Sequence, residues 1–234
     1  AVIATVMSKH YPMPKKAKTS SYNGQRVTAR GKRFLESRAP KIHEDVKRVV
    51  LLRGSRTSEK SSLALKAIGY LKRPDAQSLS RRRDVHPFED ASSVERLAQR
   101  YDAALFGVAL HSKKRPDNLV LGRLFDGVLL DMFEFGVVRT PDKGVSKMLG
   151  SKPSLVFVGE WDDERGRRLK NFFADFARGQ DVDKVNLAGL EHVLVFTLID
   201  DTVSIVPNRL RLTKSSTSVP SVRLETVGEP LVLQ

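Results

Sequence analysis

The chain has 234 residues, with 41 Lys and Arg against 27 Asp and Glu, a formal net charge of +14. That length allows one large domain or two small ones, and the charge points to a polyanionic partner, nucleic acid before anionic membrane. Cysteine is absent, which excludes disulfides, thiol catalysis and thiolate zinc sites; no apolar run approaches the roughly 18–20 residues of a membrane-spanning helix, and Ala1–Met7 is too short for a signal-peptide core.

Residues 1–42 carry Lys9, Lys15, Lys16, Lys18, Arg26, Arg30, Lys32, Arg33, Arg38 and Lys41 against the single acid Glu36. With almost no apolar periodicity, this segment reads as an extended basic arm that orders on a polyanion, with a short helix over 31–37. Globular patterning begins near Val46. The β-branched run Val46–Arg53 predicts a strand, Gly54-Ser55-Arg56-Thr57 a turn, and Ser58–Leu71 a helix with Leu63, Ala67 and Tyr70 on one side and Glu59 in its first turn. Lys72–Val85, with Arg81-Arg82-Arg83, reads as a polar basic loop. Ser92-Ser93-Val94-Glu95 has the spacing of a capping box and opens a helix to about Tyr101. Strands are expected over Ala103–Leu110, Leu119–Phe125 and Val128–Phe135, so residues 43–140 form a first half-domain.

Pro141, Gly144, Gly150 and Pro153 mark 141–153 as a linker. The order strand, helix, strands then recurs over 154–234. Leu155–Gly159 reads as a strand. Asp162–Arg178 reads as a helix, with Leu169, Phe172, Phe173, Phe176 and Ala177 on one face, acids in its first turn, Arg178 in its last and Gly179 as its C′ residue. Strands fit His192–Ile199, Val203–Val206, Arg209–Leu212 and Val222–Val227, with Asp200-Asp201 as a turn.

Catalytic patterns are missing from the sequence. There is no Walker A or GxGxxG loop, no GxSxG elbow, and no HExxH among His10, His43, His86, His111 and His192. Asp162-Asp163-Glu164 and Asp200-Asp201 fit a helix start and a turn better than a metal site. In His86-Pro87-Phe88-Glu89-Asp90 a His–carboxylate pair competes with a structural reading in which Phe88 anchors the helix entry; the structural reading is preferred. His192 reads as a structural histidine and Trp161 as a packed residue. No enzyme, metal or cofactor is expected.

The densest signal is His111-Ser112-Lys113-Lys114-Arg115-Pro116-Asp117-Asn118, a cationic turn between two apolar runs. A rigid positive point suits a phosphate backbone; the bland reading is a solvated hairpin that guards a sheet edge. This turn, with Leu52-Arg53-Gly54, Asp84-Val85-His86-Pro87-Phe88-Glu89-Asp90, Asp131-Met132 with Glu134, Asp175-Phe176-Ala177-Arg178-Gly179 and Ala188-Gly189-Leu190-Glu191-His192-Val193, resembles the Brix-domain family of eukaryotic ribosome-assembly factors, in the family's order. Ala177 stands where the family usually has an aromatic, and relatives usually continue beyond the position of Gln234 into a charged tail.

The resemblance implies an α/β fold of two similar halves, each a mixed sheet with packed helices resembling an anticodon-binding domain. It also implies a non-catalytic nucleolar role in assembly of the large ribosomal subunit. Its implied partners are 5S and large-subunit rRNA, regulator of ribosome synthesis one, and the ribosomal proteins of the 5S particle. No membrane is implied. The expected rRNA contacts are Lys113, Lys114, Arg115 and Arg123 from the first half, extended by Arg53, Arg56, Arg81, Arg82 and Arg83. Lys15, Lys16, Lys18, Arg26, Arg30, Lys32 and Arg33 would lie along rRNA from the arm. The competing expectation is a protein-interaction scaffold in which sheet edges and the Phe stripe dock a partner chain.

Overall fold

Val49–Gly54 (β1) opens with the unbroken apolar run Val49–Leu52, and a strand of that composition has to be covered on both faces. The computed structural model describes residues 28–38, 46–142, 152–179, 190–216 and 219–234, and in it β1 lies in the interior of a sheet. Glu59–Leu71 (α2) follows, and the chain returns as Ala76–Arg83 (β2), parallel to β1. Ser92–Arg100 (α3) then crosses back and Leu105–Leu110 (β3) pairs parallel to the other side of β1. Asn118–Phe125 (β4) and Val128–Arg139 (β5) continue as an antiparallel meander.

Alternation along the strands sorts the core into two layers. Val49, Leu51, Leu105, Leu119 and Leu121 pack with Ala64, Leu65 and Ile68 of α2 on one face. Val50, Leu52, Phe106, Val108 and Val120 pack with Val94 and Ala98 of α3 on the other. The tight fit of Phe106 depends on its cross-strand partner Gly122, where an added Cβ would stand 2.4 Å from the Phe106 ring and 2.9 Å from the Asp131 carbonyl oxygen.

The second array begins with Ser154–Gly159 (β6), Glu164–Ala177 (α4) and His192–Ile199 (β7), with β6 parallel to β7. Thr202–Thr213 (β8) runs antiparallel to β7, and Ser221–Thr226 (β9) pairs with β8. Leu231–Leu233 (β10) lies between β5 and β8, antiparallel to both, so that one mixed sheet has the order β2-β1-β3-β4-β5-β10-β8-β7-β6, with β9 on β8. The α4 stripe Leu169, Phe172, Phe173 and Phe176 is buried on the α2 side of that sheet. Phe172 meets Phe133 of β5, and Phe173 meets both Phe135 of β5 and Phe196 of β7, at ring separations of 4.9, 5.9 and 5.2 Å. The Phe stripe is therefore core and not a docking surface. Trp161 is buried, donating from Nε1 to the Val158 carbonyl at 2.8 Å.

Contacts divide the chain into Ala1–His43 and Glu44–Gln234. The first unit contains Ala29–Arg38 (α1), opened by Thr28, whose Oγ1 accepts from the Gly31 N–H.

Several local expectations are corrected. The basic loop at 72–85 is largely strand β2, because an edge strand tolerates polar residues on exposed positions. The α3 start is not a capping box: Asp90 accepts from the Ser92 N–H and Oγ at 3.0 Å each, while the Glu95 carboxylate accepts from the Leu129 N–H. The buried face of α2 centres on Leu65 and Ile68, with Leu63 and Tyr70 at its margins. The two short strands around Pro207 are one strand, β8, and β10 had no counterpart among the expected elements. Arg178 caps α4 in an extended conformation, and Gly179 is not left-handed. Phe88 is 54% exposed; Pro87, not Phe88, is buried. The turns at Asp126-Gly127 and Asp200-Asp201 hold positive φ at both positions, as tight hairpins require.

Candidate nucleic-acid interface

In the first array the chain passes from β1 through α2 to β2 on one side, then back through α3 to β3 on the other side of β1, so the strand order reverses at β1. Such a switch point opens at the carboxyl ends of the parallel strands, where α/β sheets bind ligands. The register places Gly54 beside Arg83, Arg53 beside Arg82, and Arg53 beside Ala109. The β1–α2 connection, the end of β2 and the β3–β4 turn therefore share one end of the sheet. Arg53, Arg56, Arg81, Arg82, Arg83, Lys113, Lys114 and Arg115 come together there.

The β3–β4 turn is well held. The Ser112 N–H donates to the Arg115 carbonyl, the Arg115 N–H donates to Ser112 Oγ, and the Asp117 N–H donates to His111 Nδ1, at 3.1, 3.1 and 3.2 Å. Asp117 has φ of 49°, the left-handed conformation that Asp tolerates better than most residues. Lys113 and Lys114 are exposed and make no ion pair among the described residues. Arg115 pairs with Glu134 while its side chain stays 63% exposed. Glu134 in turn accepts from buried Asn118, so this carboxylate belongs to the base of the turn.

On the neighbouring strands Arg56, Arg81 and Arg82 are exposed. Arg53 donates to the Ser80 carbonyl across an irregularity in the β1–β2 register, and Arg83 Nε is buried with no hydrogen-bond partner among the described residues. Nearby, His86 Nε2 lies 3.2 Å from Asp84, both exposed, so the histidine's carboxylate neighbour is Asp84 and not Glu89 or Asp90. Among the described residues no group of three or more His, Asp or Glu side chains could hold a metal ion.

Among the described residues, Arg123 is the predicted contact that the fold ties most fully into the protein's own ion pairs. It pairs with Leu105, at the far end of β3 from the turn. Its guanidinium donates to both Asp131 oxygens at 2.7 and 2.8 Å, to Asn171 at 3.0 Å and to Asp175 at 3.4 Å, and the side chain is only 15% exposed. Lys47 reaches the same Asp175 at 2.7 Å. The hydrogen bonds it donates to Asp131, joined by the charges of Asp131 and Asp175, hold the guanidinium above the usual arginine range. This network fastens α4 to β4 and β5 and is not open to a phosphate.

Of the arm residues, Arg30, Lys32 and Arg33 lie on α1 and are exposed, with Lys32 3.9 Å from Glu36. Lys15, Lys16, Lys18 and Arg26 lie outside the described residues. Sequence reasoning passed over Arg167, Arg168 and Lys170, exposed cations on the outer side of α4. Their signal was visible, as the positions between the apolar residues of the Phe stripe.

The Brix domain model matches residues 54–234. The chain is 41% identical over 212 residues to the mouse Ribosome production factor 2 homolog, covering 88% of this chain and 69% of that protein. Its identity to the Drosophila melanogaster homolog of the same name is 39%, over 86% of this chain and 65% of that one. It is 36% identical to the Arabidopsis thaliana homolog, over 88% and 70%. In fold it is similar to the crystal structure of a probable ribosomal biogenesis protein from Aeropyrum pernix, with a TM-score of 0.51 at 15% identity, covering 80% of this chain and 95% of that one. With the family model spanning most of the sheet and these relatives matching along most of its length, the chain belongs to the Brix-domain family.

Proposed function

We propose that the chain is a non-catalytic ribosome biogenesis factor that binds rRNA through the basic end of its first array. Working with a partner protein, it would help to bring the 5S ribonucleoprotein into the pre-60S particle. Family membership and the relatives named for ribosome production support the biogenesis role. The observation that carries the RNA reading is the gathering of Lys113, Lys114, Arg56, Arg81 and Arg82 at the carboxyl ends of parallel strands, exposed and free of ion pairs among the described residues. Unpaired cations on rigid backbone cost little to order against phosphates, and their contacts position rather than specify. By resemblance, the partner is regulator of ribosome synthesis one, the RNAs are 5S and large-subunit rRNA, and the site of action is the nucleolus.

The test is the salt dependence of binding to a 5S rRNA transcript. Lys113→Ala/Lys114→Ala/Arg115→Ala should flatten the slope of log K against log salt by about 2–3, from three lost phosphate contacts, with the fold retained. An unchanged slope in a folded variant contradicts the assignment.

Protein docking is favoured by a separate observation. The first array is covered by helices on both faces, whereas the second carries α4 on one. On its other face lie two separate exposed apolar groups, Val156 and Val158 on the edge strand β6, and Leu212, Val222 and Leu224 at the β8–β9 end, 37–56% exposed. Exposed apolar groups of this kind suit a partner's amphipathic segment, and they take the place of the Phe stripe in the docking reading. The two readings are compatible, because a partner on the second array leaves the basic end of the first open.

A further inference from the structure

Strand β8 outruns β7. Their register ends at His192 opposite Arg209, and after the Leu210 N–H has donated to the Glu191 carbonyl, β8 pairs only with β9 among the described residues. β8 and β9 thus leave the sheet as a two-stranded ribbon. Their register is unbroken from Asn208 opposite Thr226 to Thr213 opposite Ser221, so alternation sorts the side chains onto two sides. One side carries Leu210, Leu212, Val222 and Leu224. The other carries Arg209, Arg211 and Thr213 from β8 with Ser221, Arg223 and Glu225 from β9.

On that second side Arg211 stands directly opposite Arg223, and Arg209 is one pair further along. Directly opposed residues of an antiparallel pair hold their Cβ atoms about 5 Å apart, and like charges at that spacing are destabilising. The ribbon has little stability to spare, since two strands alone are marginal in water. Glu225 lies 2.9 Å from Arg211 Nε. Arg209 and Arg223 make no ion pair among the described residues, and all three arginines are exposed. An opposed arginine pair sharing a single acid is a place that a bound anion would complete.

The ribbon rises from the end of the sheet that holds the β3–β4 turn. β5 runs toward that turn, with Gly136 opposite Asn118. β10 is antiparallel to both β5 and β8, so β8 runs the same way as β5. Leu233 is opposite both Val137 and Val203, which puts these two residues at one level. Arg211 then stands about 25 Å beyond the base of the turn, at the rise of a strand.

We infer that the side of the β8–β9 ribbon bearing Arg209, Arg211 and Arg223 binds RNA phosphates, with Arg211 and Arg223 gripping one phosphate between them. This rests on the proposed RNA-binding function and extends it to the second array. The planar forks of two guanidinium groups match phosphate oxygens in pairs. RNA is favoured over an acidic protein segment because the ribbon and the Lys113-Lys114-Arg115 turn lie at one end of the sheet, where a single regularly charged chain can meet both. The apolar side of the ribbon is left open to a protein partner.

The test titrates the full chain with a 5S rRNA transcript at several salt concentrations, beside Arg211→Thr/Arg223→Thr, Glu225→Gln and the triple turn variant above, with polyglutamate as a competing acidic chain. Threonine keeps the strand preference of the ribbon, and opposed threonines suit an antiparallel pair. With the like-charge pair relieved, the double variant should unfold in denaturant no earlier than the wild type. Its slope of log K against log salt should be flatter by about 1.5–2, from two lost phosphate contacts, and additive with the turn variant because the sites are far apart. Glu225→Gln should act in the opposite direction, binding the transcript several-fold more tightly at low salt, and it reports on this side of the ribbon even where the double variant misfolds. A wild-type slope in the folded double variant, or an unchanged affinity in Glu225→Gln, overturns this inference; a flattened slope in the turn variant then leaves the RNA-binding reading standing. Loss of polyglutamate binding with RNA binding intact also overturns it, assigning the ribbon to an acidic protein. Salt-insensitive RNA binding by the wild type overturns both.

Discussion

Arg123 and Lys114 are both cations in a basic sequence, and the fold gives them opposite work. Arg123 is enclosed by Asp131, Asp175 and Asn171, with Lys47 completing the network; Lys114 is exposed and lacks an ion pair. Removing one member of a largely buried pair leaves its partners charged and unsatisfied, which costs about 3–5 kcal/mol. A surface cation away from such networks changes stability by less than about 0.5 kcal/mol. Denaturant unfolding of Arg123→Ala should therefore show a large loss, whereas Lys114→Ala should unfold like the wild type; similar midpoints for the two would contradict this division. The difference was illegible in sequence because Arg123 and Asp175 are 52 positions apart. The cationic character of the 113–115 turn was plain because its charges are adjacent.

At the scale of elements, what could be read depended on whether a segment's neighbours were local. The α4 stripe was legible because helix periodicity alone brings Leu169, Phe172, Phe173 and Phe176 together. Strand β2 was hidden, since Ser78, Ser80 and three arginines show no apolar alternation and the strand exists through pairing with β1. β10 is three residues long and is defined by the two strands between which it lies. The start of α3 was misread because two local solutions compete there, and the carboxylate of Asp90 takes the Ser92 N–H while Glu95 serves β5. The Asp90 carboxyl lies below the usual carboxylate range, first through the Ser92 side-chain hydrogen bond and then through the Ser92 backbone N–H. A depressed folded pKa stabilises fully above the unfolded value, about 3.9, and that contribution disappears as pH falls through the folded value. The stability difference between wild type and Asp90→Asn should thus be constant above about pH 5 and shrink at lower pH. A difference that grows on acidification would contradict the cap assignment.

At the scale of the molecule, one sheet carries two unlike arrays. The first is covered on both faces and presents its cations at the carboxyl ends of its parallel strands; the second leaves an apolar face open and carries a basic helix on its other side. That each array opens on a strand followed by a helix was readable in sequence, because both signals are local; the added strand β2 of the first array was not. The joining of the arrays through β10 and the Arg123 network was not, because both depend on contacts distant in sequence. The central claim is that the Lys113-Lys114-Arg115 end meets rRNA directly. The most direct measurement is protein–RNA crosslinking in pre-60S particles isolated from cells, with crosslinked residues identified by mass spectrometry. Crosslinks to rRNA at Lys113 and Lys114 are predicted; protein-only crosslinks at that turn, to acidic segments of a neighbouring chain, would contradict the account.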